Sequence, residues 1–258
     1  MKKKVSIVIC TFNEEKTIEN VVRKCREYNP ESEVIVVDDG SKDKTEEILM
    51  DLNKEISFKN ISLSENKGKS NAMVVGVENA QNEVILFFDA DVSNIKKEHF
   101  TRLLNPIIVE DAEVDMVLGM PSETQIDYRI NPFKSLTGER ALLKKDIEPI
   151  LEDIRDIRFG VETYINLYFQ AHGKNVKYTL LEGLLHPTKY DKTSKTKATK
   201  EFISEGHEIA VTLFKNYDLI MKRINNSFGK QNKKIQDSIK KFQGELNDKI
   251  QTLLRNNG

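Results

Sequence analysis

The sequence predicts an α/β fold: a mainly parallel central sheet flanked by helices, with a helical C-terminal extension. Three observations carry that prediction. Short apolar, β-branched runs recur at Val5–Cys10, Val34–Val37, Ile56–Ser64 and Val84–Phe88. Stretches with helical spacing separate them. Three of these runs also pass directly into a polar cluster, at Thr11–Glu14, Asp38–Ser41 and Asp89–Asp91. In open parallel sheets ligands bind outside the carboxyl ends of the strands, so the three clusters should line one functional edge.

The elements follow in chain order. After the first strand, Glu15–Tyr28 carries apolar residues at Ile18, Val21, Val22 and Cys25, one face of a helix. The second strand closes on Asp38-Asp39-Gly40-Ser41, and Ser41 or Asp43 can cap a helix over Lys44–Asn53. A third strand and a helix over Ser70–Ala80 precede the fourth strand. Val114–Leu118 reads as a further strand and Gln125–Thr137, with Pro132, as a loop. Gly138–Lys145 reads as a short helix, Gly160–Ala171 as a longer one, and Val176–Leu185 as a late strand before His186. The chain divides into a domain over 1–190 and an extension over 191–258.

Composition narrows the function. The 258 residues include 38% apolar and 31% charged residues, and no apolar run approaches the roughly 18 residues of a membrane span. The start, MKKKVSIVICTF, has a basic end and an apolar run, but the run is too short for a signal peptide and Asn13-Glu14-Glu15 follows it. Cys10 and Cys25 read as reduced packing residues, which places the protein in the cytoplasm. The extension holds 14 Lys/Arg against 8 Asp/Glu, a basic tail on an acidic body. It has few aromatics and no nucleic-acid reading motif, so no nucleic-acid partner is expected. Lys189–Lys200 is polar and basic. Beyond it, Ile235, Ile239, Phe242, Leu246, Ile250 and Leu253 form an apolar stripe on a helix. The stripe suits packing on the protein's own domain or in a homodimer. With its flanking lysines it also suits peripheral contact with the inner face of a membrane.

The stretch NEVILFFDADVSN poses the chemical question, because two carboxylates at the tip of a buried strand repel each other. A divalent cation offsets that repulsion. Mg²⁺ or Mn²⁺ takes one or two carboxylates, completes its shell with phosphate oxygens and water, and stabilises a departing diphosphate. Asp38 and Asp39 are a second acid pair, able to accept hydrogen bonds from a nucleoside or to form a turn and helix cap. Gly68-Lys69-Ser70 looks like the end of a phosphate-binding loop, but Leu63 stands where that motif needs glycine. Lys69 can still meet phosphate oxygens.

Together VSIVICTFNEEKTIENVV, EVIVVDDGSKDKTEEIL, ENKGKSNAMVVGVENA and EVILFFDADV resemble the nucleotide-sugar-dependent glycosyltransferases of family 2, which have the GT-A fold. A weaker match runs through LTGERALLKKDI and RFGVETYINLY. The resemblance implies a UDP- or GDP-sugar donor and transfer of a hexose. Thr11, Asn13, Glu14 and an aspartate of Asp38-Asp39 would hold the nucleoside, and Lys69 the base or diphosphate. Asp91, with Asp89, would carry Mg²⁺ or Mn²⁺. Two branches are similar: dolichyl-phosphate mannose synthases, with a polyprenyl phosphate acceptor, and glucosyl-3-phosphoglycerate synthases, with a small phosphorylated one. The first usually has a glutamine where this chain has Ser93. The second has a metal-binding histidine to which His186 is similar. Glu162 would act as general base in an inverting enzyme, or orient substrate in a retaining one. Arg129 and Arg140 would hold an anionic acceptor. A reading of another class is a non-catalytic sugar-nucleotide binding protein.

Overall fold

The computed structural model describes residues 2–121, 138–157, 160–186, 216, 218–220 and 222–223. Its centre is a seven-stranded sheet, β1 Val5–Thr11, β2 Glu33–Asp38, β3 Lys59–Ser62, β4 Val84–Phe87, β5 Met116–Pro121, β6 Arg140–Leu143 and β7 Val176–Leu181. The strand order is β3-β2-β1-β4-β6-β5-β7. Only β6 is reversed, antiparallel to β4 on one side and β5 on the other; the remaining pairs are parallel.

Both faces of the sheet are covered, as the continuous apolar runs require. Along β1, Ile7 and Ile9 enter one core layer and Val8 the other. The first layer packs against Ile18, Val21, Val22 and Cys25 of α1 (Ile18–Tyr28), Leu49 and Leu52 of α2 (Thr45–Glu55), and Phe100 and Leu103 of α4 (Lys97–Ile108). The second packs against Ala72, Met73, Val74 and Val77 of α3 (Lys69–Asn79), Ile147 of α5 (Lys144–Ile147), Ile154 of α6 (Leu151–Arg155), and Ile165 of α7 (Val161–Ala171). Each fully buried aliphatic side chain contributes about 1.5–3 kcal/mol relative to exposure. Gly76 lets α3 lie flat on the sheet, since a Cβ there would stand 2.2 Å from Val8 Cγ1.

Several elements differ from the sequence reading, among them β6, α4 and β3. Residues 140–143 are a strand, not part of a helix. RALL is fully buried, and its backbone groups pair with β4 and β5, which outweighs the helix propensity of Ala and Leu. Helix α4 has no predicted counterpart, although Phe100, Leu103, Leu104 and Ile107 make a helical stripe; Pro106 sits within it, and the Lys3 ammonium bonds the carbonyls of Ile107 and Val109 at its end. The third strand is shorter than Ile56–Ser64, because α2 runs to Glu55.

Among the described residues no helix is long and apolar enough to cross a membrane. Near the C-terminus a helical fragment at 218–220 places Leu219 and Ile220 on the second core layer. Arg129, the 190/191 boundary, Lys189–Lys200 and the stripe from Ile235 to Leu253 lie outside the described residues.

Candidate active site

β1, β2 and β4 end at one edge of the sheet, and the three polar clusters meet there. The loop after β1 is stitched to the loop after β2. Asn13, at φ 57°, donates its N–H to Ser41 Oγ at 2.9 Å, and its side-chain oxygen accepts from Lys42 N at 2.8 Å. Glu14 N donates to Thr45 Oγ1 at 2.9 Å, and Thr17 Oγ1 donates to the Glu14 carboxylate at 3.2 Å. Asp39 N donates to the Thr11 carbonyl at 2.9 Å.

The two aspartates divide their work. Asp38 accepts from both the N–H and the hydroxyl of Ser41; burial nonetheless pushes its carboxyl above the ordinary range. Asp39 accepts from the N–H groups of Lys67 and Gly68, at 2.9 and 2.8 Å, and so fixes the turn that starts α3. Gly40, at φ +71°, permits this approach, since a Cβ there would lie 2.7 Å from the Glu65 carbonyl carbon. Neither Ser41 nor Asp43 is the N-cap of α2, which is Lys44; Asp43 instead accepts from Thr45 N at 3.0 Å just before the helix. Asp38, Asp39 and Asn13 thus fix the loops at this edge of the sheet. The Thr11 hydroxyl, buried at the end of β1, has no hydrogen-bond partner, which leaves it for a ligand.

A compact charge cluster lies beyond β4. The Lys69 ammonium stands between two carboxylates, 2.9 Å from Asp89 Oδ1 and 2.9 Å from Glu162 Oε1. Burial favours neutral forms here, but the charges outweigh it. Lys69, with His186 and Arg140, holds the Asp89 carboxyl below its ordinary value. Lys69 and Arg140 do the same for Glu162. The Lys69 ammonium is held well above its own ordinary value by both acids.

The reversed strand supplies what parallel strands could not. Because β6 runs backwards, its first residues, not its last, lie at the functional edge. Arg140 pairs with Phe87 and Leu118, so Gly138 and Glu139 fall beside Asp89. Gly138 is pressed so close that a Cβ would stand 2.1 Å from both carboxylate oxygens of Asp89. Glu139 is fully buried and lies 2.9 Å from His186 Nε2. His186 arrives by a separate route. Ser93 and Leu185 exchange backbone hydrogen bonds at 2.9 and 3.1 Å, and Asn94 Nδ2 donates to the Gly183 carbonyl at 2.6 Å. This clasp ties the segment after β7 to the loop after Asp91. Burial lowers the His186 imidazole, but its bond to Glu139 and the charges of Glu139, Asp89 and Asp91 raise it to about 9.

Asp89, Glu139 and His186 each offer one ligand atom, all within 4.8 Å of one another. Two carboxylates and an imidazole fit Mn²⁺ well and Mg²⁺ less so, since nitrogen is a softer donor than oxygen. Asp91 is not among these three, although its charge bears on His186. Glu139 escaped the sequence reading because nothing in LTGERALL marks a strand that runs against its neighbours.

Arg140 corrects an expectation. It is fully buried, and its Nη1 donates to the Glu162 carbonyl at 3.3 Å and to Asn166 Oδ1 at 3.1 Å. It braces the first turn of α7 and does not present a guanidinium to an acceptor. His99 is likewise structural: its Nδ1 accepts from Lys96 N, and its Nε2 lies 3.0 Å from the Glu182 carbonyl.

Comparison with known proteins agrees with this architecture. Residues 6–148 match the model of the family described as Glycosyl transferase family 2. The chain is 37% identical over 89 residues to poly-beta-1,6-N-acetyl-D-glucosamine synthase of Staphylococcus epidermidis, covering 34% of this chain and 21% of that protein. It is 36% identical over 102 residues to undecaprenyl-phosphate 4-deoxy-4-formamido-L-arabinose transferase of Photorhabdus laumondii, covering 37% of this chain and 31% of that protein. The chain therefore spans a third or less of the length of these relatives. Among solved structures, glucosyl-3-phosphoglycerate synthase of Mycobacterium tuberculosis, crystallised with Mn²⁺, UDP and phosphoglyceric acid, superposes with a TM-score of 0.65 at 18% identity. That match covers 83% of this chain and 78% of the other. The fold is GT-A, as the sequence resemblance implied.

Proposed function

Because the chain belongs to glycosyl transferase family 2, we propose that it moves a hexose from a UDP- or GDP-sugar to a phosphorylated acceptor. That acceptor is a small phosphorylated molecule or a polyprenyl phosphate. The observation that carries this reading is the convergence of Asp89, Glu139 and His186 beside Lys69, at the edge where β1, β2 and β4 end. A metal- and diphosphate-binding site needs opposed charges of this kind in one place.

In this reading Asp89, Asp91 and His186 hold Mg²⁺ or Mn²⁺, which supplies a Lewis acid for the departing diphosphate. The Thr11 hydroxyl, with the Asn13, Glu14, Asp38 and Asp39 loops, holds the nucleoside. Lys69 turns its ammonium from Asp89 and Glu162 to the diphosphate, stabilising the charge that grows there. The acceptor oxygen attacks the anomeric carbon, the bond to the β-phosphate oxygen breaks, and nucleoside diphosphate leaves. With a hydroxyl acceptor, the proton passes to the Glu162 carboxylate in an inverting reaction. Loss of the Lys69 ammonium to the diphosphate raises the basicity of Glu162 at that moment. A phosphate oxygen brings no proton, and Glu162 then orients the sugar.

The direct test is a thermal-shift panel of UDP- and GDP-sugars with and without Mn²⁺. A matching donor at about 100 times its Kd stabilises the protein by about 2.7 kcal/mol. Asp91→Ala is expected to remove the metal-dependent part of that shift from a protein that still folds. A panel in which no sugar nucleotide moves the melting temperature would overturn the proposal. Chromatographic assay of donor consumption with phosphorylated acceptors separates an enzyme from a binding protein.

Metal binding should also depend on pH. With its pKa raised to about 9, His186 is an imidazolium at neutral pH in the metal-free protein and must lose a proton to ligate. Apparent Mn²⁺ affinity should rise by up to about tenfold per pH unit from neutrality and level off above pH 9. Titration calorimetry at several pH values, in buffers of differing ionisation heat, reads both the affinity and the released proton. A flat profile would exclude His186 as ligand.

A further inference from the structure

We propose that Glu139 is a positioning residue that holds the His186 ring through Nε2, leaving Nδ1 as the nitrogen that meets the cation. The inference rests on the proposed donor site and adds to it which atom of His186 is used and which residue selects it.

The first support is burial. The side chains of Asp89 and His186 are 19% and 29% exposed, whereas that of Glu139 is 0% exposed. Glu139 is sealed from solvent, so a cation arriving from solvent has access to Asp89 and the imidazole before it. The second is the bond itself. Glu139 Oε1 and His186 Nε2 are 2.9 Å apart. A carboxylate can only accept, so Nε2 carries the hydrogen. A neutral imidazole with Nε2–H has its lone pair on Nδ1. A carboxylate behind a ligating histidine fixes the tautomer and the ring orientation, and its loss typically costs 10–100-fold in metal affinity.

The third support is that both partners are anchored independently of the ion. The Glu139 carbonyl accepts from Gly119 N at 2.9 Å, which ties it into the sheet, and Gly138 before it packs on Asp89. His186 follows Leu185, which is clasped to Ser93 by two backbone bonds. The ring is thus gripped on one nitrogen by a fixed group.

The test uses the full chain labelled with ¹⁵N, and Zn²⁺ as a diamagnetic probe. Long-range ¹H–¹⁵N spectra should show the His186 ring protonated on Nε2 and metal-bound on Nδ1. In calorimetry with Mn²⁺, Glu139→Gln should bind about tenfold more weakly. His186→Ala should lose at least as much, and the double variant no more than His186→Ala alone. A zinc-bound Nε2, or losses that add in the double variant, would overturn the inference and make Glu139 a ligand. If Glu139→Gln fails to fold, judged by its melting curve, the spectra of the unaltered chain decide. Absence of any Mn²⁺ binding by the unaltered chain would remove the proposed metal site as well, so failure of the two ideas can be told apart.

Discussion

Gly138→Ala is expected to lower kcat/KM for sugar transfer by about 10²-fold, while the chain remains folded. The added Cβ would stand 2.1 Å from both carboxylate oxygens of Asp89, far inside contact distance. Gly138 precedes Glu139, whose carbonyl accepts from Gly119 N, and the paired strand β6, so the end of the flexible Asp89 side chain is what must move. Moving it breaks the 2.9 Å contact to Lys69 and scatters the ligand atoms that now lie within 4.8 Å of one another. Misplacement of a reacting group by about 1 Å costs about this much in rate. Kinetics, Mn²⁺ calorimetry and a melting curve check it together. Unchanged Mn²⁺ affinity in a folded variant would show that the Asp89 carboxylate can sit elsewhere without consequence.

Lys69→Met should be equally severe, with kcat/KM reduced about 10²–10³-fold. The ammonium is the group shared by Asp89 and Glu162, 2.9 Å from each. Without it the two carboxyls, held low in the intact protein chiefly against burial, should titrate at higher pH. Carbon-13 NMR of the carboxyl groups reads that rise directly. Lys69→Arg should restore the charge but little activity, because a planar fork cannot take the place of a compact ammonium between two acids. A Lys69→Met protein with normal turnover would remove Lys69 from the diphosphate site.

Much of the fold was legible because its signals are local. The runs Val5–Thr11, Glu33–Asp38 and Val84–Phe87 are too short and too β-branched for anything but buried strands, and α1 shows its apolar stripe in sequence. A strand that ends in Asp-Ala-Asp announces its own chemistry. So does Lys69 after a glycine turn. These features require only that each residue know its neighbours along the chain, and they bring Thr11, Asp38 and Asp89 to one edge by the parallel rule alone.

Pairing decided the remainder. RALL reads as helix until β4 and β5 flank it, because no four-residue window records that its hydrogen-bond partners come from elsewhere. Once that strand is reversed, Glu139 reaches Asp89, Arg140 is sealed beneath Glu162, and the clasp between Ser93 and Leu185 brings in His186. The chain by itself determined which chemical groups are available and that strand ends would gather them. The three-dimensional arrangement determined which acid stays partly exposed and which is sealed in the core, since burial and strand direction are properties of packed neighbours and not of sequence position.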